Sequence, residues 1–196
     1  MQMMINRAWA MPNKRTFTIK PIKEIIKKYE SKGLTLDPFP FPYKEDCLEY
    51  LKRFENDSAD VILFDPPYSP RQLKECYDNQ GMVLHDTKSS VWANWKDVIA
   101  KKIKVGGICL SFGWSSQGLG KIRDFEIIEI LLVAHGGNHN DTIVTVERKV
   151  GSKTNENKEE KTECHLCKEK GVVFDGVDDA GHVNYYCDIC GEPQND

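Results

Sequence analysis

Residues 61–64 read Val-Ile-Leu-Phe and stop abruptly at Asp65-Pro66-Pro67-Tyr68. Four consecutive apolar residues bounded by turn formers suit a strand buried on both faces, as in a parallel sheet covered by helices. Two adjacent prolines fix φ and remove two N–H donors, so no strand continues through them. The chain must leave the sheet there with a carboxylate, a carbonyl and an aromatic ring held on a stiff loop.

The rest of the body has a matching grammar. Pro21 opens a helix that runs to about Tyr29, with Ile22, Ile25, Ile26 and Tyr29 on one stripe. Residues 34–36 form a short strand ending at Asp37. Leu48, Leu51 and Phe54 recur at helical spacing within 46–54, and residues 91–103 read as an amphipathic helix stopped by Gly106-Gly107 before a strand at 108–112. Two further strands, 126–133 and 142–147, are joined by the Gly- and Asn-rich segment 135–141. Strands alternating with helices, closed by a hairpin, predict an α/β fold: an open, mostly parallel sheet with an antiparallel edge. Ligands of such sheets bind at the carboxyl ends of the strands, where Asp65 stands.

A polar stretch divides this body (1–149) from a tail: 150–163 reads as a linker and 164–196 as a separate small module. Four of the seven cysteines lie in that module as Cys164-x-x-Cys167 and Cys187-x-x-Cys190, separated by 19 residues. This spacing predicts a structural zinc ribbon in which all four thiolates bind one ion, leaving His165 and His182 superfluous. Four unrelated buried cysteines are the alternative. The net charge of −3 divides unevenly, with −6 from Gly151 onward and +3 before it. A mildly basic body suits a nucleic-acid partner without requiring one. The first fifteen residues carry no apolar run of signal-peptide length and 127–133 is too short to span a bilayer, so the reading places the protein in the cytoplasm, away from membranes.

Asp65-Pro66-Pro67-Tyr68 resembles the signature of the nucleic-acid amino-methyltransferases. Thr18-Ile19-Lys20-Pro21 looks like the family's segment that opens the cofactor pocket. Leu34-Thr35-Leu36-Asp37-Pro38-Phe39 looks like its cofactor-binding strand and loop, and Lys104-Val105-Gly106-Gly107 resembles the turn before its fifth strand. The resemblance covers about residues 13–148. It is closest to small phage-type or mobile-element DNA adenine methyltransferases, through Asn6-Arg7-Ala8-Trp9-Ala10-Met11-Pro12, Ser69-Pro70-Arg71-Gln72, Ser111-Phe112-Gly113-Trp114 and the His135-Gly136-Gly137 segment. It implies a Rossmann-like methyltransferase sheet, S-adenosylmethionine as cofactor, and DNA as substrate, with RNA or the amine of cytosine as variants. Catalysis then falls to Asp65, Pro66 and Tyr68, cofactor binding to Thr18, Lys20, Asp37, Phe39 and Asp65, and substrate binding to Pro67, Tyr68, Ser69 and Arg71.

The chain departs from the family at the cofactor loop. Phe39 is followed by Pro40-Phe41-Pro42-Tyr43, with no glycine to let the backbone approach a ligand. Only 27 residues separate Asp37 from Asp65, room for one helix and one strand, so the family's acid for the ribose hydroxyls has no counterpart. Glu45 and Asp46 are better placed to open the next helix. A shortened sheet of this kind also fits a binding protein built on a methyltransferase scaffold that has lost its activity.

Overall fold

The computed structural model describes residues 3–42, 44–79, 81 and 90–151, and the backbone of 172–177 and 183–187. The chain divides into two compact units, Met1–Gly151 and Ser152–Asp196.

The first unit is built on a six-stranded sheet. Its strands are β1 (Met4–Trp9), β2 (Thr35–Leu36), β3 (Ala59–Phe64), β4 (Ile103–Gly113), β5 (Phe125–Ala134) and β6 (Thr142–Lys149), in the order β1-β5-β6-β4-β3-β2. Every neighbouring pair is parallel except those of β6, which runs antiparallel to both β4 and β5. The carboxyl ends of the other five strands therefore share one edge, and a mixed α/β sheet of this kind is compatible with a Rossmann-like fold.

Side-chain alternation along β3 sends Val61 and Leu63 to one face and Ile62 and Phe64 to the other. The first face is covered by α1 (Lys20–Tyr29), whose Ile22 and Ile25 pack with Leu110, Val144 and Val146. The second is covered by α2 (Cys47–Leu51), α3 (Pro70–Asp78) and α4 (Ser90–Lys102), through Leu51, Leu73, Trp95 and Ile99. The helix starts have local causes. Asp46 accepts from the N–H groups of Leu48 and Glu49, and Ser69 accepts from that of Gln72. Each satisfies donors that the first turn leaves unpaired, a cap that stabilises by about 1 kcal/mol.

Three features differ from the sequence reading. The hairpin of β5 and β6 is not an antiparallel edge: β6 lies inside the sheet, and the edges are β2 and the unforeseen β1. That strand exposes five of its six residues, so it has no buried alternation to reveal it. Gly106-Gly107 does not stop α4, which ends at Lys102 with β4 starting at Ile103. The glycines instead serve an excursion between the pairs Ala59↔Ile103 and Val61↔Ile108. Gly106 has φ +82°, and a Cβ on Gly107 would lie 2.7 Å from Ile103 Cγ2 and 2.9 Å from the Lys104 carbonyl oxygen. Finally, residues 70–78 form α3, which the sequence reading passed over.

Where β6 ends, Lys149 Nζ donates to the carbonyls of Ala100 (2.9 Å) and Ile103 (2.7 Å) and pairs with Asp57 (2.8 Å). In the second unit, β7 (Val172–Val177) and β8 (Val183–Cys187) form an antiparallel hairpin in which Val172 is opposite Cys187.

Candidate active site

The parallel strands bring four segments to one edge. Asp37 follows β2, Asp65 follows β3, Trp114 follows β4 and His135 follows β5. Behind Asp65 the loop is braced from both adjacent helices. The Tyr68 N–H donates to Gln72 Oε1 on α3 (2.8 Å), and Trp92 Nε1 on α4 donates to the Pro67 carbonyl (2.9 Å). No hydrogen bond engages the Pro66 carbonyl among the described residues.

Tyr68 Oη donates to Asp65 Oδ1 at 2.6 Å, and the Thr16 hydroxyl also hydrogen-bonds this carboxylate. Burial raises the Asp65 carboxyl above its ordinary range, while the two hydroxyls hold it down. Asp37 is raised to about 6, chiefly by burial and further by the charge of Asp65, against the Phe39 N–H that donates to its Oδ1 at 3.1 Å.

Two cavities meet at this loop, and Pro66, Pro67 and Tyr68 wall both. The larger, about 830 Å³, is bounded by Thr16, Thr18, Asp37, Phe41 and Asp65. The smaller, about 230 Å³, is bounded by Phe64, Tyr68, Trp92, Lys96, Ser111 and Trp114. The rings of Tyr68 and Trp114 meet edge to face with centroids 5.4 Å apart. The loop after Trp114 is anchored from below. Glu147, wholly buried on β6, accepts from the N–H groups of Leu119 (2.6 Å) and Gly120 (2.8 Å). A Cβ on Gly118 would lie 2.1 Å from that carboxylate, so only glycine permits the approach.

Of the residues expected to bind a cofactor, Thr18, Asp37, Phe39 and Asp65 line the larger cavity. The Phe39 ring, however, is buried against Phe64 (5.7 Å) and Trp95 (4.9 Å) and serves the core. Lys20 is exposed at the start of α1 and is not part of the wall. Of the expected substrate residues, Pro67 and Tyr68 line both cavities, Ser69 caps α3, and Arg71 pairs with Glu75 (2.8 Å) on an exposed helix face. His135 is satisfied within the fold. Its Nδ1 donates to the Ala10 carbonyl (2.7 Å) and its Nε2 accepts from the Thr142 hydroxyl (2.8 Å). Asp46 caps α2 and accepts from Tyr77 Oη, as expected of a helix opener.

Sequence reasoning missed Thr16, Trp92 and Lys96. The last two carried a usable signal, because residues four apart on a helix share a face and both line the smaller cavity. Among the described residues, no group of three or more His, Cys, Asp or Glu side chains is assembled for a metal. Cys164, Cys167 and Cys190 lie outside the described residues, and of Cys187 only the backbone is described. No described helix is long and apolar enough to cross a membrane.

No family model matches the chain, and no curated protein matches it. Among solved structures, the crystal structure of PH0851 is similar over 73% of this chain and 36% of that one, at 13% identity and a TM-score of 0.33. The chain thus spans 36% of the length of that structure, and no functional reading rests on a likeness at this level.

Proposed function

We propose that the first unit is an S-adenosylmethionine-dependent methyltransferase acting on the exocyclic amine of adenine in DNA. The observation that carries this reading is the shared wall. Pro66, Pro67 and Tyr68 separate a cavity of nucleoside scale from a smaller, aromatic-walled cavity of base scale, and Asp65, next in the chain, lines the larger one.

The amine of adenine is a poor nucleophile because its lone pair is delocalised into the ring. Asp65 and the Pro66 carbonyl accept its two hydrogens, which lets the nitrogen pyramidalise and turn its lone pair toward the larger cavity. When bound there, S-adenosylmethionine supplies the electrophilic methyl group. Asp65 stabilises the positive charge that develops on nitrogen before a proton is released. Tyr68 and Trp114 offer ring surfaces to a base that has left its stack, and Asp37 faces the larger cavity as a partner for an ammonium group.

For the tail we propose a structural zinc site. Cys164, Cys167, Cys187 and Cys190 have the spacing of a four-cysteine zinc site, and β7 and β8 pair as an antiparallel hairpin with Val172 opposite Cys187. Four thiolates suit a closed tetrahedral site that folds the tail without entering the reaction.

A second reading is a binding protein without methyl transfer. It is favoured by the Phe39 ring, which is buried in the core, and by the lack of glycine in 37–42 to let the backbone approach an adenosyl group. Calorimetric titration with S-adenosylmethionine, followed by transfer of labelled methyl to DNA, separates the two. Asp65→Ala should retain the fold and lose at least about two orders of magnitude in transfer. Activity within threefold of the parent would remove Asp65 from the reaction.

A further inference from the structure

Lys96 is half-buried on α4 and lines the smaller cavity among the rings of Phe64, Tyr68, Trp92 and Trp114. It makes no hydrogen bond or ion pair among the described residues. Glu147, the carboxylate whose charge reaches it, is committed to the Leu119 and Gly120 N–H groups. An ammonium held among aromatic walls without a hydrogen-bond partner is costly, and the cost is recovered when a ligand brings an acceptor. Burial and the positive charge of Arg123 both lower its proton affinity, against weaker pulls from Glu147 and Cys109.

Lysine offers three donors and no acceptor, whereas Pro66, which lines the same cavity, carries a carbonyl that can only accept, and Asp65 lines the larger cavity beside it. The wall of this cavity therefore supplies both a donor, Lys96, and an acceptor, the Pro66 carbonyl. A base that fits both must present an amine beside a ring nitrogen with a free lone pair. Adenine does so with N6 flanked by N1 and N7, and cytosine with N4 beside N3. Thymine has neither an exocyclic amine nor a ring nitrogen with a free lone pair, and guanine meets the requirement only at its other edge, through N2 beside N3.

We infer that Lys96 is the residue that reads the base, donating to the ring-nitrogen acceptor adjacent to the exocyclic amine. This rests on the proposed methyltransferase reading for the identity of the substrate, but its test is a binding measurement independent of transfer. Single-stranded oligodeoxyadenylate, and the same oligomer built from 1-deaza or from 7-deaza adenine, are titrated against the full chain by tryptophan fluorescence. Saturating S-adenosylhomocysteine is added to block the larger cavity. The parent should bind one of the two deaza oligomers about tenfold more weakly than oligodeoxyadenylate, which identifies N1 or N7 as the acceptor. Lys96→Met, of similar length and without the charge, should bind all three alike, and Lys96→Arg should restore part of the discrimination.

Equal binding of all three by the parent, discrimination retained by Lys96→Met, or no binding of oligodeoxyadenylate at all would each overturn the inference. If the discrimination is found but S-adenosylmethionine neither binds nor donates its methyl, the base-reading role stands and the methyltransferase reading falls. Circular dichroism of Lys96→Met confirms that the comparison is made between folded proteins.

Discussion

The phenol of Tyr68 and the carboxylate of Asp65 are joined by a 2.6 Å hydrogen bond three residues apart in the chain. The ring that faces both cavities thereby also controls the proton affinity of the acid beside it. A hydroxyl that donates to a carboxylate favours its charged form, so loss of the hydroxyl leaves burial less opposed and raises the Asp65 carboxyl further.

Tyr68→Phe should consequently be mild at high pH and progressively worse at low pH. The acid limb of the kcat profile moves upward if Asp65 acts as a carboxylate, as proposed. Tyr68→Ala should in addition weaken capture of an unstacked adenine by about 1–3 kcal/mol. Measured pH–rate profiles that superimpose for parent and Tyr68→Phe would separate the hydroxyl from Asp65.

Asp37 is held up to about 6 against an ordinary 3.8, so the native state binds this proton more tightly than the unfolded chain. The stability it contributes is fully present below about pH 4 and is lost as pH rises through 6, by no more than about 3 kcal/mol. Asp37→Asn should flatten this part of the curve of urea midpoint against pH. An ammonium beside the carboxylate reverses the balance. Binding of S-adenosylmethionine near pH 6 should therefore release a proton, read as a dependence of the binding enthalpy on the buffer's ionisation enthalpy. Asp37→Asn should abolish that dependence.

The reach of sequence reading followed the range of the interactions. Residues 61–68 were legible because a doubly buried strand and a proline-bound loop are encoded in adjacent residues, and Asp46 was legible as a helix cap for the same reason. Lys96 and Trp92 were not, since 91–103 reads from sequence only as an amphipathic helix, whose apolar stripe goes to the core through Trp95 and Ile99. Their own face acquires meaning only when β4 brings Ser111 and Trp114 opposite. Phe39 was assigned to the cofactor from the motif it follows, but Phe64 and Trp95, distant in the chain, supply a better-packed place for the ring. The interior position of β6 was hidden because a hairpin looks the same from sequence whether or not a third strand lies beyond it.

Glu147 links that interior strand to the wall of the smaller cavity. Glu147→Ala would leave the Leu119 and Gly120 N–H groups without their acceptor and open space beneath the loop, at a cost of about 3 kcal/mol. Glu147→Gln, which keeps one acceptor oxygen, should cost less. If Trp114 is positioned by this anchor, Glu147→Ala should also raise KM for the nucleic acid more than it lowers kcat. Urea unfolding and steady-state kinetics on the two variants measure both effects.

Chelation, or Cys187→Ser, should release one metal ion from the tail and disorder it. The thermal transition of the first unit should hardly move, because the four cysteines all lie within 164–196. Native mass spectrometry counts the ion, and hydrogen exchange reads the strands. A purified chain that carries no metal would reject the zinc site, and loss of protection along Ala59–Phe64 on chelation would show that the tail and the sheet fold together.

The clamp of Lys149 on Ala100, Ile103 and Asp57 has a mechanical consequence. Any tension transmitted along the polypeptide from beyond residue 151 reaches the first unit through β6. That strand is hydrogen-bonded on both sides, to β4 and β5, so a pull along its axis loads many bonds at once in shear and does not peel them one by one. The ammonium takes the first share of that load at the rim, ahead of the ladder. Tugging on the tail, by a partner or in an optical trap, is thus borne by one of the two central strands of the sheet, and not by the edges at β1 and β2.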